Sequence, residues 1–290
     1  MRQLDLSKCF ERKPPPIDFV FCGLPVEAVG NISSPGGAGK SFASLEIAIG
    51  VTSAEADQSL LNLAGGKEGQ AVIFSAEDSE NSILNRMFAI GKHINPKVWG
   101  HVLANIDLNQ LTERGNIDNP IFFDEVLKKS AGKRLVIFDT FNKLHELDEN
   151  SNGHMSKIIS CYEKLAYQTG AAVLFLHHSN KGSVHLGQQS EQQSTRGASA
   201  ITDNCRWQGY LKAMSIDEAK KFEIAHSDRE RYVKFGGNKE NYGQATQERW
   251  LERCEGGVLL PSSRIIRRTS LNNKPNLKIV ATGGSNDKII

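Results

Sequence analysis

Ser34-Pro35-Gly36-Gly37-Ala38-Gly39-Lys40-Ser41 decides the reading of this chain. It fits the phosphate-binding pattern G-x-x-x-x-G-K-[ST] at every position except the first, where Ser34 stands in place of glycine. Ahead of it, Ala28-Val29-Gly30-Asn31-Ile32-Ser33 is short and strand-like, and behind it Phe42, Leu45, Ile47, Ala48 and Ile49 recur at helical spacing. Strand, loop and helix in that order are the context such a loop requires. Gly36, Gly37 and Gly39 carry no Cβ and can take positive φ, so the backbone can wrap a polyphosphate and aim N–H groups at it. The helix then begins at the phosphates, where its unpaired N–H groups and dipole favour negative charge. Lys40 is expected at the β- and γ-phosphates and the Ser41 hydroxyl on Mg²⁺, with Ser34, Gly36, Gly37, Ala38 and Gly39 completing the nucleotide-binding loop. The competing reading is a glycine-rich turn that only caps a helix; the intact Gly-Lys-Ser argues against it.

Working outward, three apolar runs end in polar residues. Ala71-Val72-Ile73-Phe74-Ser75 reads as a buried strand that leads into Glu77-Asp78. A carboxylate at the carboxyl end of a parallel strand faces the ligand crevice of an open α/β sheet, so Glu77 is the candidate to orient or deprotonate an attacking water. The plainer role, a helix cap, is filled by Asp78 or Ser79, and Arg86 on the helix that follows reads as a surface charge or as a residue orienting the site. Leu135-Val136-Ile137-Phe138-Asp139 predicts a central strand whose terminal Asp139 holds Mg²⁺ through its water shell. Ala171 to Leu176 predicts another, ending in His177-His178; His178 is the candidate to touch the γ-phosphate, and a packed core histidine is the alternative. No cysteine or carboxylate cluster supports a metal role for these histidines.

Composition bounds the rest. The chain has 290 residues, 39% hydrophobic, which suits one large α/β domain or two small ones. A net charge of +2 is not the footprint of a strongly basic nucleic-acid binder, so any polyanion contact is local. The odd number of cysteines, five, widely scattered and with no secretory sequence before them, points to a reduced, cytoplasmic compartment. No apolar run approaches a membrane span. Residues 1–16 read as an N-terminal arm ending in Pro14-Pro15-Pro16, either a linker or a segment packing on a neighbouring subunit. Asn95 to Leu111 is ambiguous. Ile121 to Ala131 and Met155 to Ala166 predict helices, with a polar loop, Asn142 to Gly153, before the second. Ser179 to Ser194 is too long for an ordinary connector and reads as a functional loop. Trp207 to Leu211, Arg231 to Phe235 and Arg249 to Cys254 look like strands, and Ser215 to Ala225 like a helix whose Ser215 and Glu218 match a capping box. A hairpin turn is expected around Glu255-Gly256-Gly257.

Together, Ser34 to Ser41, Ala76-Glu77-Asp78, Phe138-Asp139-Thr140, Phe175 to His178, Ser194-Thr195-Arg196-Gly197, Asp203 to Gln208 and Lys239 to Gly243 resemble the RecA-like core of hexameric replicative helicases. The resemblance is closest to the RepA-type helicases of IncQ-like broad-host-range plasmids, in which Ser34 is no anomaly. It covers the chain from Pro14 to about Pro261. It implies a mostly parallel sheet flanked by helices, with C-terminal antiparallel strands. It also implies ATP and Mg²⁺ as cofactors, and a homohexamer travelling 5′-to-3′ on single-stranded DNA in plasmid replication. Lys40 and Ser41 would bind phosphate and Mg²⁺, Glu77 would be the catalytic carboxylate, Asp139 the second metal-site acid and His178 the γ-phosphate sensor. Arg206 matches an arginine finger delivered into the neighbouring subunit's site, a contribution worth about 10³ to 10⁵ in rate.

The wider group often has Lys-x-Arg-x-Gly near the site; here Lys239-Glu240-Asn241-Tyr242-Gly243 has Asn at the Arg position. That leaves Arg206 as the stronger finger and Lys239 and Tyr242 as candidate trans contacts to nucleotide. Channel loops 142–153 and 180–195 are the expected DNA grips, with Lys143, Lys181 and His185 as their candidate residues. The domain expectation is an arm at 1–16, a core at 17–261 and a flexible basic tail at 262–290. A plasmid primase and an origin-binding initiator are the expected protein partners. Rival readings are a recombination mediator with the same core, a regulatory ATPase that binds DNA without unwinding it, and a small-molecule P-loop kinase.

Overall fold

Apolar runs that alternate between two covered faces build a central sheet in this computed structural model, which describes residues 5–7, 9–53, 60, 61, 63, 66–178, 199–240, 242 and 246–265. A short antiparallel pair, β1 (Phe19–Phe21) and β2 (Leu24–Pro25), precedes the sheet. The sheet itself comprises β3 (Val29–Ser34), β4 (Ala71–Ser75), β5 (Ile106–Gln110), β6 (Leu135–Asp139), β7 (Ala172–His178), β8 (Trp207–Ala213), β9 (Tyr232–Glu240), β10 (Arg249–Arg253) and β11 (Leu259–Pro261). Their spatial order is β11-β10-β9-β8-β3-β7-β6-β4-β5. From β8 to β5 every pairing is parallel, and from β8 to β11 every pairing is antiparallel.

The strand period of two sorts the apolar residues between two cores. Ile73, Ile137 and Leu174 face one side, covered by α1 (Lys40–Thr52), α2 (Glu80–Gly91) and α3 (Trp99–Ala104). Val72, Phe74, Val136, Phe138, Val173 and Phe175 face the other, covered by α4 (Pro120–Ser130) and α5 (Asn152–Thr169). There Tyr162 of α5 stacks on Phe138 at 4.8 Å and on Phe175 at 5.4 Å between ring centroids. With both faces covered, β4, β6 and β7 can meet water only at their ends.

The helices start where local chemistry permits. Ser79 caps α2 through its hydroxyl, which accepts from Ser82 N, and Asn119 caps α4 ahead of Pro120. The Ser215–Glu218 capping box forms as expected. The helix it opens, α7 (Ile216–Lys221), is shorter than the sequence suggested and gives way to a 3₁₀ turn, His226–Arg231. The ambiguous segment at 95–111 holds both α3 and β5, and β5 sits at the sheet edge with half-exposed residues, which explains its weak apolar signal. Short α6 (Ser199–Asn204) leads into β8. Packing continues past Pro261, since Ser262 and Ile265 are both buried.

Trp207, fully buried at the start of β8, is a fixed point of this half of the sheet. Phe21 meets it edge-on at 5.1 Å, and a Cβ on Gly209 would lie 2.4 Å from its ring. Gly209→Ala is therefore expected to destabilise the fold by roughly 1–3 kcal/mol through overpacking. Urea unfolding followed by tryptophan fluorescence checks this, and an unchanged midpoint would contradict the packing described.

Candidate nucleotide site

Register brings the chemistry together. Ser34 at the end of β3 pairs with His178 at the end of β7, and Ser75 at the end of β4 pairs with Asp139 at the end of β6. Because the order is β3-β7-β6-β4, four neighbouring strands deliver their polar ends to one edge.

On that edge the loop after β3 turns through Gly37 and Gly39, both at positive φ (78° and 102°). Gly39 is the N-cap of α1 and offers no side chain, so the first N–H groups of α1 have no side-chain cap. Lys40 is 7% exposed, and its ammonium donates to the Ser34 carbonyl at 3.1 Å, the Ser34 hydroxyl at 3.0 Å and His178 Nδ1 at 3.2 Å. The serine at the position where the strict pattern has glycine thus supplies an acceptor for the loop lysine. Burial draws the Lys40 pKa down, opposed by the charges of Asp139 and Glu77. As a lysine ammonium only donates, His178 accepts at Nδ1, which places its proton on Nε2. That nitrogen lies 3.7 Å from Glu77 Oε2.

Asp139 is 5% exposed and its carboxyl is pushed up to about 6, first by burial, with the Ser41 hydroxyl opposing and the charges of Asp78 and Glu77 adding to the rise. A buried carboxylate facing a serine hydroxyl and two further carboxylates suits a divalent cation held largely through water and phosphate oxygens. Ser41 and Asp139 are the residues that would hold it. Among the described residues no group of three His, Cys, Asp or Glu could do so with side chains alone.

Three parts of the site were not foreseen. Arg86 is no plain surface charge: it makes a two-pronged ion pair with Asp78, one prong at 2.9 Å, and lies over the Phe42 ring at 5.5 Å. Asp78 is thereby committed to Arg86 and Ser79 takes the cap, which leaves Glu77 facing His178. Second, the Thr140 hydroxyl donates to the Leu176 carbonyl at 2.7 Å and ties the Asp139 strand end to the His178 strand end. Third, the turn between β10 and β11 leans on the phosphate loop. Arg253 donates to the Gly37 carbonyl at 2.9 Å, and Leu259 sits against Gly39, where a Cβ would lie 3.0 Å from its Cδ1. The sequence carried a hint of this in Glu46, a charge inside an apolar helical run. Glu46 is buried in α1, its Oε1 accepts from Leu259 N at 2.9 Å, and Oε2 has no partner among the described residues.

Other expected site residues lie elsewhere. Arg206 N donates to the carbonyl of Val29, the first residue of β3, so Arg206 stands at the opposite edge of the sheet from Ser34. The five residue steps between Val29 and Ser34 span about 16 Å, too far for the Arg206 side chain to serve its own chain's loop. Lys239, opposite Gln208 in the β8–β9 pair, lies on that far edge, and its ammonium is bound to the carbonyls of Thr202 and Asp203. Tyr242, just beyond β9, is exposed. Lys143 is exposed on the 3₁₀ turn Phe141–Lys143 that follows Asp139. Lys181, His185, the 180–195 loop, Ser194 to Gly197 and residues 266–290 fall outside the described residues.

This fold and site define a RecA-like P-loop ATPase architecture. The chain belongs to the AAA domain family AAA_25, whose profile matches residues 2–184. Among solved structures, it is similar to a phage-type or bacterial-type motor core only at the level of fold: one match is an ATPase domain at 15% identity and a TM-score of 0.56, over 81% of this chain and 84% of that one. It is also similar to a DnaB-like replicative helicase described with its interactions with primase, at 15% identity and a TM-score of 0.57 over 81% of this chain. This chain spans 57% of that helicase's length. The flagellar accessory protein FlaH from Methanocaldococcus jannaschii matches at 11% identity and a TM-score of 0.51, over 84% of this chain and 92% of that one. Among the described residues no helix is long and apolar enough to cross a membrane.

Burial pushes the Glu46 carboxyl up to about 8, against about 4.5 in an unfolded chain. The native state therefore holds this proton to higher pH than the unfolded state does. The stability it confers is complete below pH 4.5 and drains away as the pH rises to about 8. Glu46→Gln keeps the acceptor for Leu259 N and removes the ionisation. Between pH 6 and 8.5 the wild type is expected to lose on the order of 5 °C more in Tm than the variant. Equal pH slopes in thermal melts would refute this.

Proposed function

We propose that this chain is an ATP-hydrolysing motor subunit, a RepA-type replicative helicase of the IncQ-like plasmid kind, acting as a homohexamer in the cytoplasm. It would move 5′-to-3′ on single-stranded DNA and separate duplex, with a plasmid primase and an origin-binding initiator as partners. The observation that carries the reading is the split of the functional residues between two edges of one sheet. Lys40, Ser41, Glu77, Asp139 and His178 share one edge, and Arg206 is exposed on the other. Among the described residues the one arginine at the loop's own edge that follows β4, Arg86, is committed to Asp78, while the chain offers a free-standing arginine on its far side. That division fits a site completed between subunits. The similarity to a DnaB-like helicase fold supports the same reading.

In this reading the exposed N–H groups of the loop and of α1 receive the phosphates of ATP. Lys40 exchanges its bonds to Ser34 and His178 for phosphate oxygens. Mg²⁺, held by Ser41 and Asp139, would neutralise charge on the β- and γ-phosphates. Glu77 accepts a proton from the attacking water, and His178, released at Nδ1, reports whether the γ-phosphate is present. Arg206 of the adjoining subunit stabilises the charge that develops on the transferred group. The arm at 1–16, where Leu6 and Phe10 are exposed, packs on a neighbouring subunit, and Lys143 with the 142–153 loop faces the DNA.

Arg206→Ala and Lys40→Ala should each lower ATP turnover by at least about 10³-fold. Mixing the two variants should restore a measurable fraction, because an intact loop then meets an intact finger across some interfaces. Rings that form in the mixture but stay inactive would contradict a finger acting in trans. On forked DNA, unwinding should require a free 5′ tail on the strand the ring encircles. ATP turnover without unwinding of either fork, or open filaments on DNA in electron micrographs, would favour a regulatory ATPase or a recombination mediator.

A further inference from the structure

Lys239 was expected to touch the neighbour's nucleotide, yet its ammonium is occupied within its own chain. It donates to the carbonyl of Thr202 at 3.0 Å and to that of Asp203 at 2.7 Å. These belong to the last turn of α6, where carbonyls lack helical partners and the dipole is negative, so a cation there is favoured. The carbonyls stand four and three residues before Arg206.

The surroundings of Arg206 are held at every other point. Its backbone N–H donates to Val29, and its neighbours Cys205 and Trp207 are fully buried. Asn204 reaches Ser156 of α5 at 3.3 Å, and Gln208 donates to the Thr202 hydroxyl at 3.2 Å. Gln208 faces Lys239 across the β8–β9 pair, at a register shift, so the lysine reaches α6 from the strand beside it. The guanidinium of Arg206 is left projecting from a pinned backbone, and the Lys239 ammonium closes the end of the helix that leads into it.

We propose that Lys239 is a positioning residue for Arg206: by fixing the C-terminal carbonyls of α6 it sets the direction in which Arg206 leaves the surface, and it makes no contact with nucleotide. The inference rests on the reading of Arg206 as a finger serving the adjoining subunit. A finger misplaced by about 1 Å loses on the order of 10²-fold in rate while substrate binding is spared. The effect of losing Lys239 should thus fall on kcat.

The test compares Lys239→Met, which keeps the aliphatic stem, with Lys239→Arg, Arg206→Ala and the Lys239→Met/Arg206→Ala double variant, all as assembled full-length protein. Lys239→Met is expected to lower kcat for ATP by about 10- to 10²-fold, with affinity for a fluorescent ATP analogue within about twofold of wild type. Lys239→Arg should recover most of the loss, since a guanidinium can also donate to both carbonyls. In the Arg206→Ala background, Lys239→Met should cost nothing further. Amide hydrogen exchange over residues 200–206 should quicken in Lys239→Met and return towards wild type in Lys239→Arg. Weakened analogue binding at unchanged kcat would overturn the proposal in favour of a nucleotide contact, and multiplicative losses in the double variant would overturn it as well. Should Arg206→Ala turn over like wild type, the finger reading falls. The exchange data then decide alone: quickened exchange keeps Lys239 as the clamp on this segment, and unchanged exchange removes it.

Discussion

A parallel sheet covered by helices on both faces can place chemistry only at its strand ends, and this constraint organises the protein. The interiors of β4, β6 and β7 are buried throughout, and each polar residue of the site follows an apolar run. Parallel pairing then sends those ends to the same edge, and register aligns Ser34 with His178 and Ser75 with Asp139. Glu77, two residues past Ser75, needs no special loop to reach His178. The Thr140–Leu176 bond adds a rivet where two of these strand ends would otherwise be joined only by the ladder.

The same constraint gives the sheet a second working edge. Strand β3 carries the phosphate loop at its end and receives the backbone N–H of Arg206 at its beginning. A single six-residue strand thus separates a donor of positive charge from the loop that, in a copy of the chain, would use it. Direct contact within one chain is barred by length alone, whereas contact between chains needs only that one subunit's far edge meet the next one's near edge.

What could be read beforehand follows from how local each feature is. The loop Ser34–Ser41, the buried strands β4, β6 and β7 and the capping box at Ser215 each announce themselves within a few residues, because glycine φ, apolar runs and cap hydroxyls are local properties. Edge strand β5 and the brief pair β1–β2 were not legible, since a half-exposed strand and a two-residue strand lack a periodic signal. Arg86 could be named but not assigned: its partner Asp78 lies on the preceding turn, and its seat over Phe42 depends on α1 and α2 packing together. Lys239 was named for the wrong neighbour. Its chemistry, a cation near carbonyls, is generic, and which carbonyls it meets is set by a β8–β9 register with an irregularity beside Gln208.

The antiparallel strands join these two edges. The chain leaves the far edge at Lys239 on β9 and returns as β10, whose final Arg253 holds the Gly37 carbonyl. The turn that follows presses Gly257 on Phe42, and Leu259 on Gly39. For a hairpin three places from β3 to touch the loop, this half of the sheet must curl round α1, and Glu46 anchors the curl through Leu259 N. The loop's outer wall is therefore built from the same antiparallel ribbon that carries Lys239 and, through α6, borders Arg206. A loop so clamped can adjust to phosphate only by small movements shared with β10 and β9, because a packed ribbon resists bending more than it resists shifting as a unit. The antiparallel extension, which carries none of the phosphate-binding residues, is thus the element that physically connects the site this chain contains with the arginine it presents to another.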